Sequence, residues 1–388
     1  MSTEETEDDA LPLAGLRVLD LSQGIAGPYC GLILRQQGAD VIKVEPPQGD
    51  WSRGMGRQKE GMSAIFAACN AGKQGVCLDT RTEQGRLALQ ALAQSADIVI
   101  QNYRPGVAQR MGAGWEQLSQ QKPSLVYVSI SGWGGTGPMA HVPTLDTTMQ
   151  AASGMMAANK GVDGKPHRIG LYLIDYATGL YAAQGVMAAL LRKSISGRGK
   201  HVQVAMLQTA AALQSYLVLD AGMFAGQSSA VFNAPTGLFD TQDGQQIYIS
   251  MLNDAMFLRL AHALAQESWM HDTELHHSGG RLSRVDALTE TLRAAIAQQP
   301  LAYWVRVLAD SDVLFAPLRT AAQLPSDSQA QHLGIYQDHP LDGFPSQSFP
   351  VLPGEGAASA QLSPAPQLGQ HTQKILAEMQ LSHDSGPH

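Results

Sequence analysis

Asp175 is the residue of this chain whose type and surroundings most call for chemistry. It lies in RIGLYLIDYATGLYAAQG (168–185), two or three residues into a stretch of otherwise apolar and small residues with helical spacing. Two readings are open. The carboxylate can cap or charge the N-terminus of that helix, where the macrodipole favours an anion by a fraction of a kcal/mol up to about 2 kcal/mol. Alternatively, the dipole and the free backbone N–H groups keep it ionised and nucleophilic while apolar neighbours exclude water. Other patterns are weaker. Gly132, Gly134 and Gly137 in SGWGGTGP satisfy GxGxxG after an expected strand. Pro138 follows, however, no helix opens there, and no clear ribose-binding acid stands about 20 residues on, so a mobile loop bordering a ligand pocket is a better reading than an NAD or flavin site. His271, His276 and His277, near Asp272 and Glu274, match no zinc spacing and read as a solvated loop. No GxSxG elbow occurs, and GRGKH (197–201) lacks the first glycine and the final Ser or Thr of a P-loop.

The elements that must position these residues follow from the hydrophobic pattern. Short β-branched runs at Leu16–Leu21, Asp40–Glu45, Asp97–Asn102 and Leu125–Ser131 alternate with helical stretches, as in a parallel sheet covered by helices. Pro28 and Gly38 bracket one short helix, and Thr82–Ser95 supplies the next crossover. Two long helices are expected at Leu173–Lys193 and Leu207–Phe224, joined through SISGRGKHVQVAM with a stop at Gly197–Gly199. Near Phe224 the texture changes. Pro235–Met251 reads as two strands around Asp243-Gly244, followed by helices at Asp254–Leu264, Val285–Gln299 and Leu301–Asp310 and a strand-like Val313–Leu318. Pro325–Pro366 reads as an extended return. The expected fold is α/β, with a large domain from residues 1–225 and 325–388 and a small domain from 226–324.

Composition narrows the partners. The 388 residues suit two or three domains, and 44% apolar content supports a sizeable core. With 26 Lys plus Arg against 34 Asp plus Glu, the formal charge of −8 disfavours nucleic acid. No segment reads as a membrane span, and the acidic MSTEETEDDA lacks the features of a secretory signal and reads as a short disordered tail. Cys30, Cys69 and Cys77 form no CxxC pair, which suits a reducing compartment without a disulfide framework or a cysteine metal site. A cytoplasmic location is expected.

The segment LAGLRVLDLSQGIAGPYCGLILRQQGADVIKVEPPQGDWSRG resembles the opening of class III CoA-transferases, the family of formyl-CoA transferase, carnitine CoA-transferase and α-methylacyl-CoA racemase. The resemblance continues through NAGKQGVCLD, DIVIQNYRPGVAQRMG, LVYVSISGWGGTGP, TLDTTMQAASG, LIDYATGLYAAQGVMAALLRKSISGRGKHVQVAM and PAPQLGQHTQKIL, so it covers nearly the whole chain in order. It implies a Rossmann-like large domain, a smaller α+β domain and an interlocked homodimer. It also implies coenzyme A as co-substrate, with no metal, NAD or flavin, and Asp175 as the nucleophile that forms an acyl anhydride and then an aspartyl-CoA thioester.

Further roles follow from matching positions. The resemblance sets Lys43, Lys73, Arg104 and Arg110 near adenosine and phosphates, and Asn102, Pro105 and Met111 beside the base or the pantetheine arm. Gln23, Gly24 and Ile25 match the segment beside the thioester, where backbone N–H groups would meet an oxyanion. Ile25 stands where formyl-CoA transferases carry glutamine. Asp146 matches an acidic position that some transferases use to steer hydrolysis-prone intermediates, and a structural role is open equally. The alternative is an acyl-CoA racemase or epimerase, but those enzymes carry His before that Asp where this chain has Leu145, which cannot move a proton. Asn253-Asp254-x-x-Phe257 looks more like transferases, and the long glycine loop of formyl-CoA transferases is missing from Asn233–Ser250, against a formyl-CoA and oxalate pair. The expected substrates are a short acyl-CoA such as succinyl-CoA and a small carboxylic acid. The acid is expected to meet the Gly132–Pro138 loop including Gly134 and Gly135, the stretch from His141 to Asp146, Arg168, and the partner subunit's 233–237 stretch.

Overall fold

The computed structural model describes residues 11–161, 163–225, 234–341, 343–354 and 361–384, so the acidic N-terminal tail and Asn233 lie outside the described residues. The chain divides into two compact units, one of Met1–Met223 with Ser328–His388 and one of Phe224–Asp327.

The first unit is built on six strands: β1 (Arg17–Asp20), β2 (Asp40–Glu45), β3 (Gln74–Cys77), β4 (Ile98–Gln101), β5 (Val126–Ser131) and β6 (His201–Ala205). They pair in the order β3-β2-β1-β4-β5-β6, every pair parallel. This is the doubly wound order, whose ligand crevice opens where the order reverses, at the carboxyl ends of β1 and β4. Alternate residues serve opposite faces. Val18, Val41, Ile98, Ile100, Val126 and Val128 are buried in the cluster that includes α1 (Ala26–Gln36) and the long helix Leu173–Ser196. Leu19, Ile42, Val44, Val76, Val99 and Tyr127 are buried in the opposite cluster, with α2 (Glu83–Ser95), Leu118 of α3 (Trp115–Gln121) and Ile375 of the C-terminal helix Thr372–Asp384. Burial on both faces explains the near-continuous apolar runs of the central strands.

Two strands of this sheet, β3 and β6, were not expected. The Leu173–Ser196 helix ends on Gly197 in the left-handed region (φ 67°). A Cβ at Gly199 would lie 1.8 Å from the Leu125 carbonyl oxygen, so the chain turns hard against the start of β5 and enters the sheet beside it. The expected helix over Leu207–Phe224 is likewise two helices, Met206–Leu213 and Ser215–Met223.

The second unit holds a three-stranded antiparallel sheet, Gly237–Asp240, Gln246–Ser250 and Leu314–Pro317, with Gln246–Ser250 in the centre. Phe239, Ile247, Phe257, Trp269, Leu292 and Trp304 fill its core. The HDTELHHSGG stretch is more ordered than a solvated loop: it forms a 3-10 turn (Thr273–His276) and a short helix (Ser278–Leu282) around buried Leu275 and Arg281.

Two close glycine contacts shape the first unit, and one of them positions Asp175. The helix Leu173–Ser196, hereafter α5, crosses α1 so closely that a Cβ at Gly179 would sit 2.7 Å from the Ala26 carbonyl oxygen and 3.0 Å from a Tyr29 ring carbon. Asp175, one turn earlier, is thereby held beside the start of α1. Gly179→Ala is expected to cost roughly 1–3 kcal/mol by forcing the helices apart; an unchanged denaturation midpoint would contradict the close approach. The second contact is at Gly24 (φ 84°), where a Cβ would meet the Trp51 ring at 2.3 Å.

Candidate active site

A cavity of about 670 Å³ opens at the topological switch point. Its lining includes Gln23, Ile25 and Ala26 after β1 and Asn102 to Pro105 after β4. Ile130 to Gly132 at the end of β5, Val142 to Leu145, Thr148 and Met206 also line it, together with Asp175.

Asp175 is the third residue of α5, whose N-cap, Tyr172, provides no side-chain cap. The cap comes from elsewhere. Asp146 begins α4 (Asp146–Ala152), is 2% exposed, and accepts through Oδ2 from the N–H groups of Ile174 (2.8 Å) and Asp175 (3.1 Å). The first-turn N–H groups of Ile174 and Asp175 are therefore not free to keep Asp175 ionised, as the sequence suggests, but are spent on Asp146. Burial, reinforced by the nearby Asp146 carboxylate, pushes the Asp175 carboxyl up to about 7. A carboxylate made more basic by desolvation is the stronger nucleophile once ionised.

The Gln23–Gly24 segment is held by a buried charge network. Asn102 clamps Gln23, accepting from its N–H (2.9 Å) and donating to its carbonyl (2.6 Å), which ties the ends of β1 and β4 together. Gly24 donates its N–H to Asp50 (3.0 Å). Asp50 pairs with Lys43 at 2.8 Å, and Lys73 pairs with Asp20 at 2.8 Å, with all four side chains fully buried. Burial raises both carboxyls, but Lys43 brings Asp50 below its ordinary value and Lys73 does the same for Asp20. Glu45 takes both Nε and Nη2 of Arg53 at 2.7 Å.

This network corrects two expectations. Lys43 and Lys73 lie beneath the site, with 0% and 1% exposure and carboxylate partners, so they cannot meet a phosphate arriving from solvent. The Gln23 and Gly24 N–H groups, already donated, are not free for an oxyanion. What the start of α1 offers instead is Ile25 and Ala26 in the cavity lining, on a helix N-terminus with no side-chain cap and no acid in its first turn.

The other expected residues divide. Arg104 and Pro105 line the cavity. Arg110 is exposed, and a Cβ on Gly106 would meet its Nη1 at 3.1 Å, so its guanidinium lies against the same turn, with half-buried Met111 beside it. Neither arginine has an ion-pair partner among the described residues, unlike the buried lysines. Gly134 and exposed Gly135 are not in the lining, although Gly132 is. Arg168 is exposed and outside the lining, so within this chain it does not reach the cavity. The motifs missed Trp51, Tyr103 and Met206, all in the lining, and Asp50, the hub under Gly24. Only Asp50 left a signal, since Asp-Trp-Ser is an N-cap pattern and its side chain does cap a short 3-10 turn through the Ser52 N–H.

Comparison with known proteins gives the family. The family description CoA-transferase family III matches residues 13–372. Succinyl-CoA:glutarate CoA-transferase of Mus musculus is 31% identical over 390 residues, covering 98% of this chain and 88% of that protein. Acetyl-CoA:oxalate CoA-transferase of Acetobacter aceti is 34% identical over 321 residues, covering 80% of this chain and 82% of the other. The crystal structure of a CAIB/BAIF family protein from Brucella suis superposes with a TM-score of 0.85 at 31% identity, over 95% of this chain and 100% of that one. A parallel sheet with its crevice at the switch point, a family match along nearly the whole chain and transferase relatives of similar length lead to one conclusion: this is an enzyme of the CoA-transferase type, and it belongs to CoA-transferase family III.

Proposed function

We propose that the enzyme moves CoA from a short acyl-CoA, with succinyl-CoA as the candidate donor, to a small carboxylic acid by covalent catalysis at Asp175. The observation that carries this reading is one basic, desolvated carboxylate in the lining of a cavity at the switch point, beside an uncapped helix N-terminus. Ionised Asp175 attacks the thioester carbonyl and expels CoA thiolate, leaving an aspartyl-acyl anhydride. The thiolate attacks the aspartyl carbonyl, releasing the first acid as its carboxylate and leaving an aspartyl-CoA thioester. The acceptor carboxylate then attacks that thioester and expels the thiolate, leaving a second anhydride; the thiolate attacks the acceptor's acyl carbon in it, forming the new acyl-CoA and freeing the Asp175 carboxylate. Each tetrahedral intermediate places an oxyanion that the N-terminal N–H groups of α1 would stabilise. Unpaired Arg104 and Arg110 at the β4 turn are the cations for the CoA phosphates.

Leu145, 59% exposed and in the cavity lining, favours transfer over racemisation, because an alkyl side chain cannot carry an α-proton. A homodimer, interlocked as the family resemblance implies, is part of the proposal. Its support is the helix Ser215–Met223, which has no buried residue although Tyr216, Val218, Leu219 and Met223 are 63–71% exposed. A cytoplasmic setting fits the free cysteines, and among the described residues no helix is long and apolar enough to cross a membrane.

Initial rates measured against donor and acceptor together test the mechanism. Parallel double-reciprocal lines are expected for a covalent enzyme intermediate. Intersecting lines, or α-deuterium uptake without an acceptor acid, would overturn the reading.

A further inference from the structure

We propose that Gln150 positions the nucleophile by fixing the direction in which the Asp146 carboxylate faces. The proposal rests on the reading of Asp175 as nucleophile. Gln150 lies one turn after Asp146 on α4 and is 1% exposed. Its Nε2 donates to Asp146 Oδ1 at 2.6 Å and to the Leu171 carbonyl at 3.2 Å, while its Oε1 accepts from the Ile169 N–H at 2.9 Å. Only one amide orientation satisfies this set. Turning the amide over would set an oxygen against a carboxylate and a carbonyl, and an NH₂ group against an N–H.

One buried side chain therefore ties two things together. It occupies Oδ1 of Asp146, which leaves Oδ2 aimed at the N–H groups of Ile174 and Asp175, and it anchors Ile169 and Leu171 in the segment that leads into α5. The titratable and charged groups that bear on Asp175 are Asp146 from α4 and Tyr176 on its own helix, with Tyr103 and Arg104 elsewhere in the cavity lining. Asp146 is the one that opposes ionisation of Asp175 by its charge. Without the Gln150 amide, Asp146 is free to turn away from α5. The first turn then loses its cap, the like charge retreats from Asp175, and the nucleophile loses its fixed position.

The test is the single-turnover rate of CoA-adduct formation against pH, in the full chain, with succinyl-CoA and a panel of acyl-CoAs and with hydroxylamine release identifying the thioester. Gln150→Met is expected to lower the midpoint by about 0.5 pH unit or more and to slow adduct formation on the high-pH plateau by about 10-fold. A merely structural glutamine would reduce the amount of competent protein, scaling the whole profile with the midpoint in place, and that result would overturn the proposal. Should Gln150→Met not fold, Gln150→Asn keeps the amide one methylene short and carries the same test: a lowered midpoint supports the proposal and an unmoved one overturns it. Wild-type protein that forms no adduct at any pH would remove Asp175 as nucleophile, and this proposal with it; an adduct with an unmoved midpoint would remove only the role of Gln150.

Discussion

Asp175→Ala is expected to lower kcat for CoA exchange by at least about 10³-fold, with CoA affinity held within a few-fold. The cations and turns proposed to hold CoA lie after β1 and β4, whereas Asp175 comes from α5 and, as the proposed nucleophile, would meet only the reacting carbonyl. Its loss closes the covalent route without touching the CoA end of the site. The fold should survive, because Asp175 makes its described hydrogen bond through its backbone N–H, which alanine retains. Steady-state kinetics with direct measurement of CoA binding check this. A loss of affinity as large as the loss in kcat would mean that Asp175 binds CoA rather than reacting with it.

The second large effect is on pH dependence. Because burial and Asp146 push Asp175 up to about 7, kcat/KM should fall about tenfold per unit below that value, so that pH 5 retains roughly a hundredth of the plateau rate. The same shift has a stability sign. Between the ordinary carboxyl range and about 7, the native state holds a proton at Asp175 that the unfolded chain has already lost. Stability therefore falls as pH rises through that window, and the full penalty is present above it. Asp175→Asn removes the penalty and should be more stable than wild type at pH 8 by roughly 1–3 kcal/mol, with little difference at pH 4. Urea titrations at the two pH values read this directly. Equal stability of the two proteins at pH 8, or an acidic limb with its midpoint near 4, would show that Asp175 is an ordinary solvated carboxylate.

The α/β class was legible because the central strands are buried on both faces. Runs such as DVIKVE and LVYVSIS carry that burial openly, and the helix over Leu173–Ser196 has a small-residue, apolar texture that reads without ambiguity. β3 was hidden because QGVC, at the sheet edge, is short and half polar, and β6 because HVQVA follows a glycine turn that looked like a link between two helices. The break at Gln214 has no signal, since good helix formers lie on both sides of it.

Within the site, what escaped the sequence was pairing at a distance. A lysine is ordinarily exposed, and nothing near Lys73 announces Asp20, 53 positions away, as its buried partner. Asp146 caps α5 from 29 positions away, so nothing in the sequence around it shows which helix its carboxylate caps. The Gly24 amide looks free until Asp50 is seen beneath it. In each case the residue type was visible and its occupied hydrogen-bonding capacity was not.

The most direct test of covalent catalysis at Asp175 is the intact mass of the protein after incubation with a panel of acyl-CoAs, before and after hydroxylamine, for wild type and Asp175→Ala. The account predicts that wild type alone gains the mass of a CoA thioester and loses it to hydroxylamine, with the effective acyl-CoAs identifying the donor. A wild type that catalyses exchange yet never carries CoA, or an Asp175→Ala protein that carries it equally, would contradict the account.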